Sequence, residues 1–391
     1  MKRKLIKRPA LAVCTLAVLG LAMAAMLSAS PTYAATVPVS TWAQFVNELG
    51  NASTDEIVLT ANITASSSPT INRSVVINGQ GNTITFGGNS LTLGNVTATL
   101  RLENINIVKT SGGNNAAVYG NAINSANWRI EVCDVTSGTA SGQRGLVDAE
   151  KASVFVYGTG SNLRVEGLDN INHFKVKNFE MTPGSEMYLG TQITTNGDSD
   201  PCILMEYNSN GSGNGTFILR QGAHLTVENR GASMDEGHFQ GYAKGSDGIV
   251  GGIKEILFEE NSTIDITVTN MGFWSMANYG GTGPTFEMKE GAVFNATTTH
   301  TEAHWCVAFC RDFNSTAYGS TTFTLSGEGT EMNLSAASER ANTQGGALLM
   351  RGDGSVITVK EGAKINASSS RTQTFYMHGV GTEFKIDGGK V

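Results

Sequence analysis

Three short stretches of the chain say nearly the same thing: "FILRQGA" at 217–223, "FEMKEGA" at 286–292 and "ITVKEGA" at 357–363. A pattern that returns in this way constrains the fold more than any single motif. Each copy has to be one supersecondary unit that buries its apolar face only against its neighbours. Apolar residues alternate within a copy, as Phe286 and Met288 do, which predicts a strand with one face inward. The charges that follow are not the same in every copy: Arg220 and Gln221 stand where the other two have Lys289 with Glu290 and Lys360 with Glu361. The recurrence therefore encodes a shape, a strand ending in a turn whose glycine takes a conformation that residues with a Cβ avoid. It does not encode a repeated reaction site.

Five more segments share a pattern: "CILMEY" (202), "FWSMAN" (273), "CVAFCR" (306), "ALLMRG" (347) and "TFYMHG" (374). Superposed, they align Ile203, Trp274, Val307, Leu348 and Phe375, and two residues later Met205, Met276, Phe309, Met350 and Met377. Period two places both sets on one strand face, predicted to form an internal column. A polar loop follows, then the strand and turn of the opening motif, then a third strand, as in "AHLTVEN", "AVFNATT", "TEMNLSA" and "AKINASS". One unit is three strands and three turns, about 25 to 40 residues. A chain coiling round one axis needs no helical crossovers, since each strand lands on the one a turn earlier, about 4.8 Å away. The fold class is all-β, a single-stranded parallel β-helix or solenoid. Nearer the amino terminus, "RLENINI" (101–107) aligns with "RIEVCDV" (129–135), which puts Cys133 where Ile105 stands and predicts a small core residue.

The first coil has a lid in "STWAQFVNELG", where Trp42, Phe45, Val46 and Leu49 share a helical face. Thr41 with Gln44 reads as a capping box and Gly50 as the stop. At the other end, "FKIDGGKV" matches "FEMKEGAV" and stops at Val391 where a third strand is due, which predicts that the natural protein continues. Ahead of the helix, "MKRKLIKRPALAVCTLAVLGLAMAAMLSASPTYA" has the basic head, apolar stretch and small-residue end of a secretory signal peptide. The expected division is a signal peptide at 1–34, a capping-helix region at 35–55 and a β-helix at 56–391. No second apolar run approaches the roughly 18 residues of a membrane span.

Cleavage after Ala34 removes five basic residues and no acid, taking the formal charge from −7 to −12. That sign repels phosphate backbones, and nucleic acid is excluded as a partner. With 47 Gly, 7 Pro and 40% hydrophobic residues the chain is neither collagen-like nor disordered.

The stretch "VSTWAQFVNELGNASTDEIVLTANITASSSPTINRSVVINGQGNTITFGGNSLTLG" (39–94) resembles the start of the pectate-lyase-like adhesive domains of Gram-positive surface proteins. The similar elements are the "STWAQFVNEL" helix, the "EIVLTANIT" strand and the "SVVINGQGNTITF" strand and turn. The resemblance implies a right-handed β-helix displayed on the bacterial surface, binding a host or matrix protein or glycan and leading into further modules or a wall anchor. A polysaccharide lyase or glycoside hydrolase acting on acidic glycans is the alternative, and a structural stalk a third reading.

A lyase needs clustered carboxylates for Ca²⁺ with a basic residue beside the sugar, and a hydrolase two carboxylates at fixed separation. Asp235, Glu236 and His238 in "DEGHFQG" are the catalytic candidates, without the accompanying acid pairs such enzymes use. His300, Glu302, His304, Cys306 and Cys310 in "HTEAHWCVAFC" would share one face if extended, and are the metal candidates. The expected reading of that face is a polar edge near a turn, with no bound metal or cofactor. A disulfide between Cys306 and Cys310 is excluded on an extended strand, where four steps span about 13 Å against the roughly 7 Å the bond tolerates. The acidic loop "NGDSD" (196–200) is a possible Ca²⁺ holder, and "RGD" at Arg351–Asp353 is the tripeptide that integrins read on exposed loops.

Overall fold

The computed structural model describes residues 35–110, 116–139, 145–158, 163–167, 173–191, 201–205, 214–229, 248–275, 283–300, 303–310, 319–339, 345–370 and 373–391. The helix forms where the pattern placed it, at Trp42–Gly50. Thr41 is the N-cap, its hydroxyl accepting from Gln44 N, while Gln44 Oε1 reaches back to Ser40 N. Gly50 is the last helical residue and the cap is Asn51. Arg73, from the next coil, closes the helix end: its guanidinium donates to the carbonyls of Glu48 and Leu49, groups of the helix's last turn, and to that of Thr54 in the loop that follows. Trp42, Phe45 and Leu49 are buried, with Trp42 stacked on Phe45 and edge-on to Phe86. A strand not anticipated, Thr36–Val39, precedes the helix and pairs with Glu56–Leu59.

From there the chain builds a parallel β-helix. Every pairing between the named strands is parallel, and each links one coil to the next in three ladders. One ladder carries the inward column Val147, Phe174, Ile203, Ile249, Phe273, Val307, Leu348 and Phe375. The second carries Phe179, Phe217, Ile256, Phe286, Phe323 and Ile357, and the third Met187, Leu225, Ile264, Phe294, Met332 and Ile365. Phe286 and Met288 both point inward and are buried. Phe286 stacks on Phe323 with centroids 4.3 Å apart and planes within 5°. Phe258, Phe294 and Phe309 lie against it at 5.4, 6.0 and 5.7 Å. Each such pair contributes about 0.5–1.5 kcal/mol beyond the area it buries.

The turn after the second strand repeats as expected. Gly184, Gly222, Asn261, Gly291, Gly329 and Gly362 all have positive φ, and Gly222 N, Asn261 N and Gly291 N each donate to the carbonyl of the equivalent turn one coil on. The alanine that ends the motif has a physical reason too. Ser185, Ala223, Ser262, Ala292, Thr330 and Ala363 are fully buried at the inner corner, a seat none larger than threonine fills. Where that seat is serine, its hydroxyl donates 2.7 Å to the carbonyl three residues back, Thr182 for Ser185 and Glu259 for Ser262.

Three expectations are corrected. The column seat between Ile249 and Val307 belongs to Phe273, not Trp274, and the seat opposite Phe309 to Ser275; Met276 lies outside the described residues. Trp274 faces the other way, into a second apolar cluster with Val250, Trp305, Ala308 and Leu349. The superposition also passes over a whole coil, whose strands are Ile249–Gly251, Ile253–Phe258 and Thr263–Val268. Thirdly, Cys133 pairs with Glu103 and is half-buried, while Val135 takes the place opposite Ile105. Asn104 and Asp134 have left-handed φ values of 48° and 50°. That bend shifts the alternation, so the residue before it faces outward.

Candidate ligand-binding groove

The sequence-derived candidates do not assemble. Asp235, Glu236, His238, Glu302 and the loop 196–200 lie outside the described residues. His300 sits past the end of the Val293–Thr298 strand, and His304 is buried with its N–H donating to Asn270. Cys306 joins the main core while Cys310 joins the second cluster, so the two thiols occupy opposite faces. Burial pushes the Cys306 thiol up to about 11. Among the described residues no group of three His, Cys, Asp or Glu side chains is placed to hold a metal. Cys133, Cys202, Cys306 and Cys310 are in no disulfide. The Arg-Gly-Asp tripeptide is exposed only in part: Arg351 is buried with its guanidinium 5.7 Å from the Tyr376 ring centroid, while Asp353 is exposed and its Oδ1 accepts from Val380 N.

Function then depends on what the coils present outward, and the three ladders differ. Outside the first, the row Leu204, Val250, Trp274, Ala308, Leu349 and Tyr376 is apolar, and its members from Val250 to Leu349 are buried in the second cluster. Outside the third, the side chains satisfy one another: His224 Nε2 lies 2.7 Å from Asp265 Oδ2, Asn295 donates to Asp265, Asn333 to Asn295 and Asn366 to Asn333. Outside the second, Arg220 bridges Glu180 and Glu259, each at 2.8 Å, tying three coils together.

At the start of the same strands the second ladder opens into a cavity of about 560 Å³, within the range of small-ligand sites. Its floor is an outward row of Thr216, Glu255, Thr285 and Thr322, one from each of four successive coils. Asn214, Lys254 and Ser320 complete the polar lining. Backbone contacts bring the coils together at this corner, where Gly215 N donates to Gly252 O and Gly283 N to Ser320 O. A Cβ on Gly283 would stand 2.5 Å from Ser320 O, so glycine is required for the approach. The ladder carries a bulge here: Gly215 pairs with Ile253 and Thr216 with Glu255, leaving Lys254 as the extra residue. Bulges re-aim side chains in this way beside functional sites.

What sets the groove apart is that its groups are not used internally. Among the described residues, Lys254, Glu255, Thr285, Ser320 and Thr322 make no side-chain hydrogen bond or ion pair, whereas the outward side chains of the third ladder are linked from coil to coil. Thr216 alone has a partner, Asn178. Sequence reading missed this site because threonines on the outward faces of strands look like ordinary solvated positions. The local signals were the paired glycines at 251–252 and the Gly283-Pro284 step.

Among the described residues no helix is long and apolar enough to cross a membrane. No curated protein matches the chain. Two solved structures resemble it: "L. reuteri 53608 SRRP", 15% identical over 90% of this chain and 99% of that one with a TM-score of 0.44, and "L. reuters 100-23 SRRP", 13% identical over 92% and 99% with a TM-score of 0.48. In sequence, residues 36–144, the helix and first coils, are similar to the family described as "Putative pectate lyase-like adhesive domain".

Proposed function

We propose that this protein is an adhesion module, exported and displayed on the surface of a Gram-positive bacterium, which binds a host or matrix ligand through the outer faces of its coils. The observation that carries the reading is the groove, where three of its four coils hold hydroxyl, ammonium and carboxylate groups unspent on a rigid frame. Such groups cost little to order on binding, because the strands bearing them are already fixed by the ladder. The adhesive-domain match over residues 36–144 supports the same reading.

The test is a solid-phase assay of the purified full-length protein against immobilised matrix proteins and glycans, run beside incubation with polygalacturonate with and without Ca²⁺. Capture without unsaturated product or new reducing ends is expected. Turnover of the polymer would overturn the reading in favour of an enzyme, and absence of any capture would favour a stalk. Surface proteolysis of intact cells tests display, with loss of the chain from the cell fraction as the expected result.

A further inference from the structure

We infer that the groove takes an uncharged oligosaccharide strand lying along the coil axis, an inference that rests on the ligand-binding reading above. Three features of the site lead to it. First, its polar groups form a line. Thr216, Glu255, Thr285 and Thr322 occupy equivalent places on four paired strands, so they recur about every 4.8 Å and span about 14 Å. A ligand that meets such a row has to present hydrogen-bonding groups at a matching interval. A chain of pyranose rings does so, whereas a compact metabolite would reach only one or two members of the row.

Second, the chemistry of the lining suits hydroxyl groups. Threonine and serine each both donate and accept, the Glu255 carboxylate accepts and the Lys254 ammonium donates. Sugar hydroxyls can serve either role in each contact. None of these five side chains is engaged within the described protein, so a ligand displaces only water from them.

Third, charge excludes the polyanions. Lys254 is offset by its neighbour Glu255, and Glu287, exposed on the same outward face two residues beyond Thr285, adds another carboxylate. A uronate polymer would place its own carboxylates against these two, in a chain already carrying a net −7. Among the described residues no large aromatic side chain lines the groove, which predicts modest affinity and on-axis polar recognition.

The experiment titrates the full-length protein with cello-, manno-, galacto- and chito-oligosaccharides, with polygalacturonate as the charged comparator. The double variant Thr285→Val, Thr322→Val removes two hydroxyls at nearly constant volume from exposed sites, and Thr358→Val, on the same ladder beyond the groove, is the control. At least one uncharged series binds, with affinity rising with chain length up to about three or four rings, the span of the row. The double variant weakens it by about tenfold or more, the control leaves it unchanged, and circular dichroism is unaltered. Tighter binding of polygalacturonate than of every uncharged series, or an unchanged affinity in the double variant, overturns the inference and leaves adhesion standing. Capture by matrix proteins with no glycan bound does the same. Failure of all ligands overturns both.

Discussion

Acid should loosen this protein at a named place. His173 is fully buried, with Nε2 2.9 Å from the Gly190 carbonyl oxygen. A carbonyl only accepts, so Nε2 carries the proton and the ring is neutral. Burial pulls its pKa from 6.5 down to about 4, against a smaller opposing effect of the Gly190 bond. An unfolded chain takes up this proton near pH 6.5, while the native chain resists until about pH 4. Between those values the unfolded state binds more protons, so stability is present above that window and is lost as pH falls through it. The gap of about 2.5 pH units corresponds to about 3 kcal/mol at full burial. Urea unfolding of the wild type and of His173→Gln, followed by circular dichroism from pH 4 to 7.5, isolates the effect, because the carboxylates common to both cancel in the difference. The stability of the wild type relative to the variant should grow by about 3 kcal/mol from pH 4 to pH 7. A difference that stays flat across that range would refute the assignment of a neutral buried ring.

Three further outcomes are expected. Phe286→Ala empties a seat ringed by four aromatic side chains and should cost about 3–5 kcal/mol by urea denaturation, with Phe286→Leu costing less. Gly291→Ala forces a Cβ into a turn with φ +72° and against Asn261 Oδ1, and should destabilise by more than about 1 kcal/mol, whereas Gly50→Ala, in open space on the helix, should stabilise by about 0.5–1 kcal/mol; thermal melts of the pair check the contrast. In the native protein a thiol alkylating reagent should reach the half-buried Cys133 well before the buried Cys202 and Cys306, which should react only on unfolding, as peptide mass spectrometry would read.

Much of the architecture is written locally. Alternation within "FEMKEG", the left-handed glycine after it, and the spacing of Trp42, Phe45 and Leu49 each follow from sterics and burial acting over a few neighbouring residues, and each is found where the text places it. Placing one coil on another is a different problem. The loops between rungs vary in length, so nothing in the chain marks whether Phe273 or Trp274 takes the inward seat, and a slip of one residue exchanges the faces. The coil at Ile249 escaped notice because Ile249-Val250-Gly251 lacks the methionine or aromatic that marks its neighbours. Cys133 faces outward because Asp134 turns the chain, a backbone choice its composition does not announce. The groove is the extreme case: Thr216, Glu255, Thr285 and Thr322 are far apart in the chain and become one row only when the backbone ladder stacks four coils. Short-range forces shape each strand and turn, whereas the binding surface arises from long-range pairing, whose partners are chosen by the packed core as a whole.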